Sequence, residues 1–445
     1  MDTPQIRIRT EGFRAIGEAD IIINGITVVA GENGCGKSTL SKLLYHLYKN
    51  ACNYDALVTI ELRNNLENII EFLNIVRDEI YSSNTDRELD THLDQLYLEQ
   101  SLEKPNENLM KGWLVFIREL FSIYIKQTDN LESKRKDQKS IRLRQIMKDL
   151  LNGKYQFEKE ENVPLEFDKI IELVESIFKD ALVKLNSRPS ILVMDALVKE
   201  FRKNEFPKVM EVMEFEDPLV SLTQGKILKP YYIKNVIYID TTMIFGVEDS
   251  RNKHWEDLNS SFFHSGENSF PDLSQMISKD IIHGDVFLVD DSSPFGNDFL
   301  YKRDDGSIFN LLDCATGIKS FAIIQLLLKN GSLTDKTLLI IDEPESNLHP
   351  QWIIEYARLI VLLNKNVGVK FFIATHNPDM VSALKYISQK EGVDKNLNYY
   401  LAEPTDKKYL YNYKHLGTEI DPIFESFNIA FDRITQYGKS NDEIL

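Results

Sequence analysis

The sequence predicts an α/β fold: a mixed or parallel sheet interrupted by a large helical insertion. Three observations carry this prediction. A β-rich apolar run, ADIIINGITVVA, passes through a glycine-rich loop into a helical pattern, STLSKLLYHLY. Two more strand-length apolar runs, TLLII from Thr337 and VKFFIAT from Val369, lie far down the chain, each followed by polar residues. Between these two groups the chain reads as amphipathic helices. The expected organisation is a first lobe over residues 1–51, a helical insertion over 52–205, and a second lobe of the same domain over 206–445.

The loop comes first. GENGCGKS, Gly31 to Ser38, fits G-x-x-x-x-G-K-[ST]. A strand precedes it after a turn at Asn24-Gly25, and a helix follows, which is the context the motif requires. Gly31, Asn33, Gly34 and Gly36 let backbone N–H groups face a β-phosphate, and the helix N-terminus adds positive potential. Lys37 suits a bridge between β- and γ-phosphates, Ser38 a Mg²⁺ ligand, and Thr39 the α-phosphate. ATP with Mg²⁺ is the expected ligand and cofactor pair.

The run from Thr337 to Ile341 reads as a strand buried on both faces. It ends in Asp342, placed to partner Mg²⁺, and Glu343, placed to orient or deprotonate an attacking water. His376 falls just past the VKFFIAT strand. Active residues of parallel sheets sit at strand C-termini, so His376 is a candidate contact for the γ-phosphate. About 20 residues before the second strand motif, LLDCATGIKSFAIIQLLLKNG gives a loop and an amphipathic helix whose start, with Gly317, suits an anion.

These four pieces, in this order, resemble the ATP-binding-cassette (ABC) superfamily, in its soluble SMC-like branch. IDEPESNLHP, ATHNPDMV and EIDPIFESFNIAFDRI look like ATPases of the overcoming-lysogenization-defect type, which occur in bacterial anti-phage systems and toxin–antitoxin-like pairs. The resemblance spans roughly residues 1–50 and 232–435. It implies a P-loop ATPase fold of ABC type, whose mixed or parallel sheet carries an antiparallel β-subdomain, and a head-to-tail homodimer with two composite ATP sites. Ala315, Thr316, Gly317, Ile318 and Lys319 then occupy the signature loop. Thr316 stands in for serine, and Gly317 keeps the first glycine. Ile318 departs from the second glycine, while Lys319 replaces glutamine and offers a cation to phosphate. Ser346, Asn347 and Leu348 would form the D-loop. Asp240 or Thr241 would replace the Q-loop glutamine. GFRAIGEADI resembles the first hairpin of SMC-like heads, which makes Arg14 either a nucleotide contact or an ordinary surface arginine.

Ser38 and Asp342 stand about 300 positions apart, roughly twice what a compact cassette needs. In the surplus, Leu62, Leu66, Ile69, Leu73, Val76 and Ile80 recur at alternating steps of four and three, a helical seam. Ile70, Phe72 and Ile75 widen it, which favours a packed bundle over a free coiled coil. GWLVFIRELFSIYI and FDKIIELVESIFKDALVKL read as further helices. The basic run Lys134, Arg135, Lys136, Lys139, Arg142, Arg144 and Lys148 reads as a solvated helix face or as a nucleic-acid patch.

Composition narrows the function classes. A net charge of −17 excludes a general nucleic-acid coat. Three cysteines, Cys35, Cys52 and Cys314, fit a reducing compartment. Cys35 and Cys314 would face each other across a nucleotide in the dimer, as redox control or as small-residue packing. The start lacks a signal peptide's apolar core, and no run reaches the roughly 20 residues of a membrane span. A cytoplasmic protein without membrane contact is expected. No H-E-x-x-H, C-x-x-C pair or G-x-S-x-G occurs. Asp290 and Asp291 read as part of a β-subdomain hairpin or as a nuclease-like carboxylate pair. Only a hairpin and a final helix follow the His376 strand, so a nuclease or toxin effector is expected on a separate chain. The expected function is an ATP-hydrolysing dimer, or a higher assembly of such dimers through the insertion, that controls such an effector. The alternatives are a DNA-repair or chromosome-associated SMC-like ATPase and a nucleotide-gated scaffold with negligible turnover.

Overall fold

Continuity and alternation of apolar residues sort the strands into two kinds. In Ile6–Phe13 (β1) buried residues alternate with partly exposed ones, as in a strand with one face on the core. Ile16–Ile23 (β2) pairs with it antiparallel, Ile8 opposite Ile21. In Ile26–Ala30 (β3) every residue is buried, the mark of a strand covered on both faces. Val209–Glu214 (β4) and Asp217–Ser221 (β5) extend the antiparallel side beyond β1. Asn235–Ile239 (β6) is again almost wholly buried. Gly284–Val289 (β7), Asp298–Arg303 (β8) and Ile308–Asn310 (β9) form a separate antiparallel sheet. Thr337–Asp342 (β10) and Lys370–Thr375 (β11) are the two apolar runs expected as central strands. Leu397–Pro404 (β12) and Tyr411–Gly417 (β13) make the late hairpin.

The order of the large sheet is β5-β4-β1-β2-β13-β12-β3-β11-β10-β6. From β12 to β6 the neighbours run parallel, and β13 also joins β2 in parallel. On one face, Ile26 and Val28 of β3 and Leu339 and Ile341 of β10 share a core with Phe321, Leu359 and Val381. These come from the helices Thr316–Lys329, Pro350–Asn366 and Pro378–Glu391. The helix Lys37–Cys52 packs against β6, β10 and β11 through buried Leu40, Leu43, Leu44 and Leu47. The Asn24-Gly25 turn has Gly25 at φ +72, and a Cβ there would meet the Asn396 carbonyl at 2.5 Å.

These elements come from a computed structural model that describes residues 6–83, 104–129, 133–151, 163–201, 206–240, 253–263, 266–289, 298–425 and 437. Asp290, Asp291 and Thr241 lie outside the described residues, as does most of the expected final helix. The chain divides into Met1–Cys52 with Met194–Leu445, and Asn53–Val193. The second unit therefore ends at 193 rather than near 205. Residues 194–201 belong with the sheet because Phe201 packs edge-on against Phe13 of β1 and His46.

Asn53–Val193 is a helical bundle built on the seam. Leu62, Leu66, Ile69, Leu73, Val76 and Ile80 of Tyr54–Ser83 are all buried, and so is Phe72. Phe121 of Glu107–Asp129 stacks on Phe167 of Val163–Ser187 with ring centroids 3.8 Å apart.

One buried charge sets the approach to β6. The Glu214 carboxylate accepts the backbone N–H groups of Tyr231 at 2.7 Å, Tyr232 at 2.8 Å and Ile233 at 3.0 Å. It satisfies three donors that the turn itself cannot. Glu214→Ala is expected to cost about 3 kcal/mol, since three backbone donors, that of Ile233 fully buried, would lose their acceptor. Urea denaturation measures this, and a loss below about 0.5 kcal/mol would contradict the anchoring role.

Candidate nucleotide site

The strand ladder assembles the site. Thr375 of β11 pairs with Ala30 of β3, and Asp342 of β10 with Ala374. The loop from Gly31, the pair Asp342-Glu343 and His376 thus leave three adjacent parallel strands at the same C-terminal end. That is where open α/β sheets bind ligands.

In the loop, Gly34 and Gly36 take φ of +85 and +101, which a side chain would strain. A Cβ on Gly36 would also stand 3.0 Å from Ile16 Cγ1 and 3.3 Å from the Tyr413 hydroxyl. Tyr413, on β13, donates to the Cys35 carbonyl at 3.0 Å. Lys37 is buried, and its Nζ donates to the carbonyls of Gly31 at 2.8 Å and Glu32 at 3.0 Å. The ammonium therefore sits inside the loop on neutral acceptors, which an anionic phosphate oxygen outcompetes. Asn33, Gly34 and Ser38 are exposed and Thr39 is half-buried.

Asp342 is buried at the end of β10, and its Oδ1 has no partner. Tyr238 of β6 donates to Oδ2 at 3.3 Å. Burial above all pushes this carboxyl up to about 6. A hydrogen bond from Ser38 pulls it back, and the charge of Glu343 adds to the rise. An orphaned carboxylate oxygen beside the Ser38 hydroxyl fits a hard cation with oxygen ligands. Among the described residues no cluster of three or more His, Cys, Asp or Glu could hold a metal. Phosphate oxygens would then complete the shell, the usual arrangement for Mg²⁺.

Glu343 departs from the strand with φ +53. A non-glycine residue in that region costs roughly 1–3 kcal/mol and persists only when its surroundings impose it. Here its N–H donates to the Ala374 carbonyl at 2.8 Å, and its carbonyl accepts from Ser346 N at 2.9 Å. The bend sets Glu343 Oε1 3.3 Å from His376 Nδ1. Ser346 Oγ donates to Oε2, also at 3.3 Å.

Glu345 carries no motif signal, and sequence reasoning gave it no role. It is buried, and its Oε1 accepts from Thr375 Oγ1 at 2.7 Å and His376 N at 3.1 Å. Burial, foremost, pushes its carboxyl up. Tyr238 was likewise unmarked by any pattern.

A family profile described as "AAA ATPase domain" matches residues 6–381. The chain belongs to the AAA ATPase domain family. Its fold is a P-loop ATPase fold, and the loop, Asp342 and Glu343 lie at the C-terminal end of the parallel strands of this ATPase domain. No curated protein matches the chain. Among solved structures, the Smc head domain of Pyrococcus furiosus with an extended coiled coil, bound to the C-terminal domain of ScpA, aligns at 12% identity. That alignment covers 98% of this chain and 100% of that one, with a TM-score of 0.34. The SMC head domain of Thermotoga maritima aligns at 14% identity over 46% and 64% of the two chains, TM-score 0.26. CbiO1 of Clostridium perfringens, part of an ABC transporter complex, aligns at 12% over 55% and 82%, TM-score 0.25.

Other sequence-marked residues of this ATPase domain fall as follows. The helix Thr316–Lys329 starts at the expected signature segment, and its N-cap, Ala315, supplies no side-chain bond. A Cβ on Gly317 would meet the Trp352 ring at 2.5 Å, so close helix packing alone demands glycine there. Lys319 departs from the expectation of a lysine offered to phosphate. It is buried, and its Nζ donates to the Leu312 carbonyl at 2.6 Å, fastening its own loop. Arg14 is exposed at φ +55, with its guanidinium on the Phe201 carbonyl at 3.0 Å and over the Phe201 ring. Asp240 accepts from Trp255 Nε1 and His254 Nε2, each at 3.0 Å, so it anchors the helix Lys253–Phe262.

Burial pushes the thiols of Cys35 and Cys314 up, away from the low-pKa state that redox chemistry uses. The basic run lies on the helix Ser133–Leu151. There Arg144 Nε pairs with buried Glu166 at 3.1 Å, and Arg142 Nε lies 3.9 Å from Glu79. The side chains of Lys134 and Lys136 lie outside the described residues. No described helix is long and apolar enough to cross a membrane.

Proposed function

We propose that this chain binds ATP with Mg²⁺, hydrolyses it, and works as a head-to-tail dimer controlling a separate effector in a bacterial anti-phage system. One observation carries the hydrolase reading. A buried lysine ammonium in a glycine loop, a partnerless carboxylate oxygen and a second carboxylate beside a histidine meet at one end of three adjacent strands. Gly31, Asn33, Gly34 and Gly36 cradle the β-phosphate, Thr39 serves the α-phosphate, and Lys37 holds the β- and γ-oxygens. Ser38 and Asp342 would hold Mg²⁺, which when bound neutralises charge developing on the phosphate oxygens. Glu343 takes a proton from water as its oxygen bonds to the γ-phosphorus and the bond to the β–γ bridging oxygen breaks. ADP and phosphate leave. His376 donates to the γ-phosphate.

In the dimer, Thr316 and Gly317 of one copy close on the phosphate loop of the other. The uncapped start of Thr316–Lys329 supports this reading, since its free N–H groups suit an anion. The effector and defence reading rests on the spelling IDEPESNLHP and ATHNPDMV. Purified protein is expected to release phosphate from ATP only with Mg²⁺ present. Equal release in excess chelator would overturn the assignment of Asp342 and Ser38. Host cells carrying the chain and its effector should lose phage protection with Lys37→Ala, and unaltered protection would remove the defence role.

A further inference from the structure

His376 stands between two carboxylates. Its Nδ1 is buried, 3.3 Å from Glu343 Oε1 and 3.4 Å from Glu345 Oε1, and lies out of line for a hydrogen bond to either. The two neighbours differ in how firmly they are held. The Glu343 side chain is 38% exposed and is met by one hydroxyl, that of Ser346. The Glu345 side chain is 3% exposed. Its Oε1 accepts from Thr375 Oγ1 and from the backbone of His376 itself, and its Oε2 is buried without a partner. Thr375 Oγ1 in turn accepts from Asn377 N at 3.0 Å. Glu345 therefore grips the chain at His376 and the residue before it, and keeps acceptor capacity unused.

We propose that Glu345 is a positioning residue for hydrolysis: it takes the Nδ1–H of His376, turns Nε2 toward the γ-phosphate, and frees Glu343 for the attacking water. The inference rests on the hydrolase reading above. A base that faces a histidine N–H is a weaker acceptor for the proton of water. Because Nδ1 is nearly equidistant from both carboxylates, a small ring rotation transfers it from one to the other. A carboxylate behind an imidazole fixes its tautomer and orientation, the same second-layer effect that orients metal-bound histidines. Glu345 suits this role because its own bonds leave it no freedom to follow the ring.

Glu345→Gln tests the idea, since it keeps an acceptor for Thr375 and the His376 amide while removing the charge. Affinity for a non-hydrolysable ATP analogue is expected to stay within about twofold, while hydrolysis slows by roughly tenfold or more. In a His376→Ala background the same change should have no further effect, because Glu345 acts through that ring. Nitrogen-15 spectra of the imidazole without nucleotide should show a protonated Nδ1 whose shift moves in Glu345→Gln. Additive losses in the double variant, unchanged turnover in Glu345→Gln or an unmoved Nδ1 signal would each overturn the proposal. Should Glu345→Gln fail to fold, Thr375→Val loosens Glu345 and gives the same test, with slower hydrolysis that disappears in the His376→Ala background. Wild-type protein that releases no phosphate overturns the hydrolase reading. The nitrogen spectrum needs no turnover and then judges the Glu345–His376 contact by itself.

Discussion

Glu343→Gln is expected to stop phosphate release while ATP stays bound. The amide keeps the shape of the side chain, so the bend at φ +53 and the Ser346 contact can persist. What it loses is the ability to accept a proton from water. General-base loss typically costs 10²–10⁴-fold in rate, or roughly 3–5.5 kcal/mol of barrier. Lys37, Ser38 and Asp342 are untouched, so nucleotide affinity should hold or rise as turnover ceases. On the dimer reading, ATP-loaded Glu343→Gln should also accumulate as a dimer in light scattering, because γ-phosphate persists between the heads. Single-turnover hydrolysis measures the chemical step. Unchanged turnover would remove Glu343 as the base and shift attention to His376 and Glu345.

Lys37→Ala should act one step earlier, on binding. The Lys37 ammonium is already inside the loop, held by the Gly31 and Glu32 carbonyls. Little side-chain ordering remains to be done when phosphate arrives, so most of the charge-assisted attraction appears as affinity. Truncating one partner of a buried charge pair costs about 2–5 kcal/mol, roughly 30-fold to several-thousand-fold in Kd. Calorimetric titration with Mg²⁺ and a non-hydrolysable ATP analogue checks this. Wild-type affinity in Lys37→Ala would mean that the loop does not hold the β- and γ-phosphates. The two variants also separate binding from chemistry, since one should empty the site and the other should trap it.

The nucleotide half of this protein is legible because its demands are local. A cradle of N–H groups requires glycines and a lysine at fixed spacing, and GENGCGKS supplies them within eight residues. The central strands are legible because burial on both faces requires continuous apolar runs, and β3, β10 and β11 have them. The helical insertion is legible from its seam, which is buried throughout. Lys319 shows the limit. Its position implied a phosphate contact, but seven residues upstream the Leu312 carbonyl lay within reach of a side chain flexible enough to turn back. Gly317 shows another: the loop-and-helix pattern assigned it to an anion, while the Trp352 ring at 2.5 Å is a sufficient reason for glycine.

The sequence by itself determined the ligand class, the order of the motifs and the fold class, because each follows from residue spacing along one strand, loop or helix. Only the tertiary structure decided which side chains stand beside those motifs. Tyr238 meets Asp342 across 104 positions of sequence, and Glu345 meets Thr375 across 30. Both contacts exist because β6, β10 and β11 lie side by side in parallel. Strand adjacency in a parallel sheet is set by how helices pack on its two faces, a property of the whole domain that no window of sequence contains.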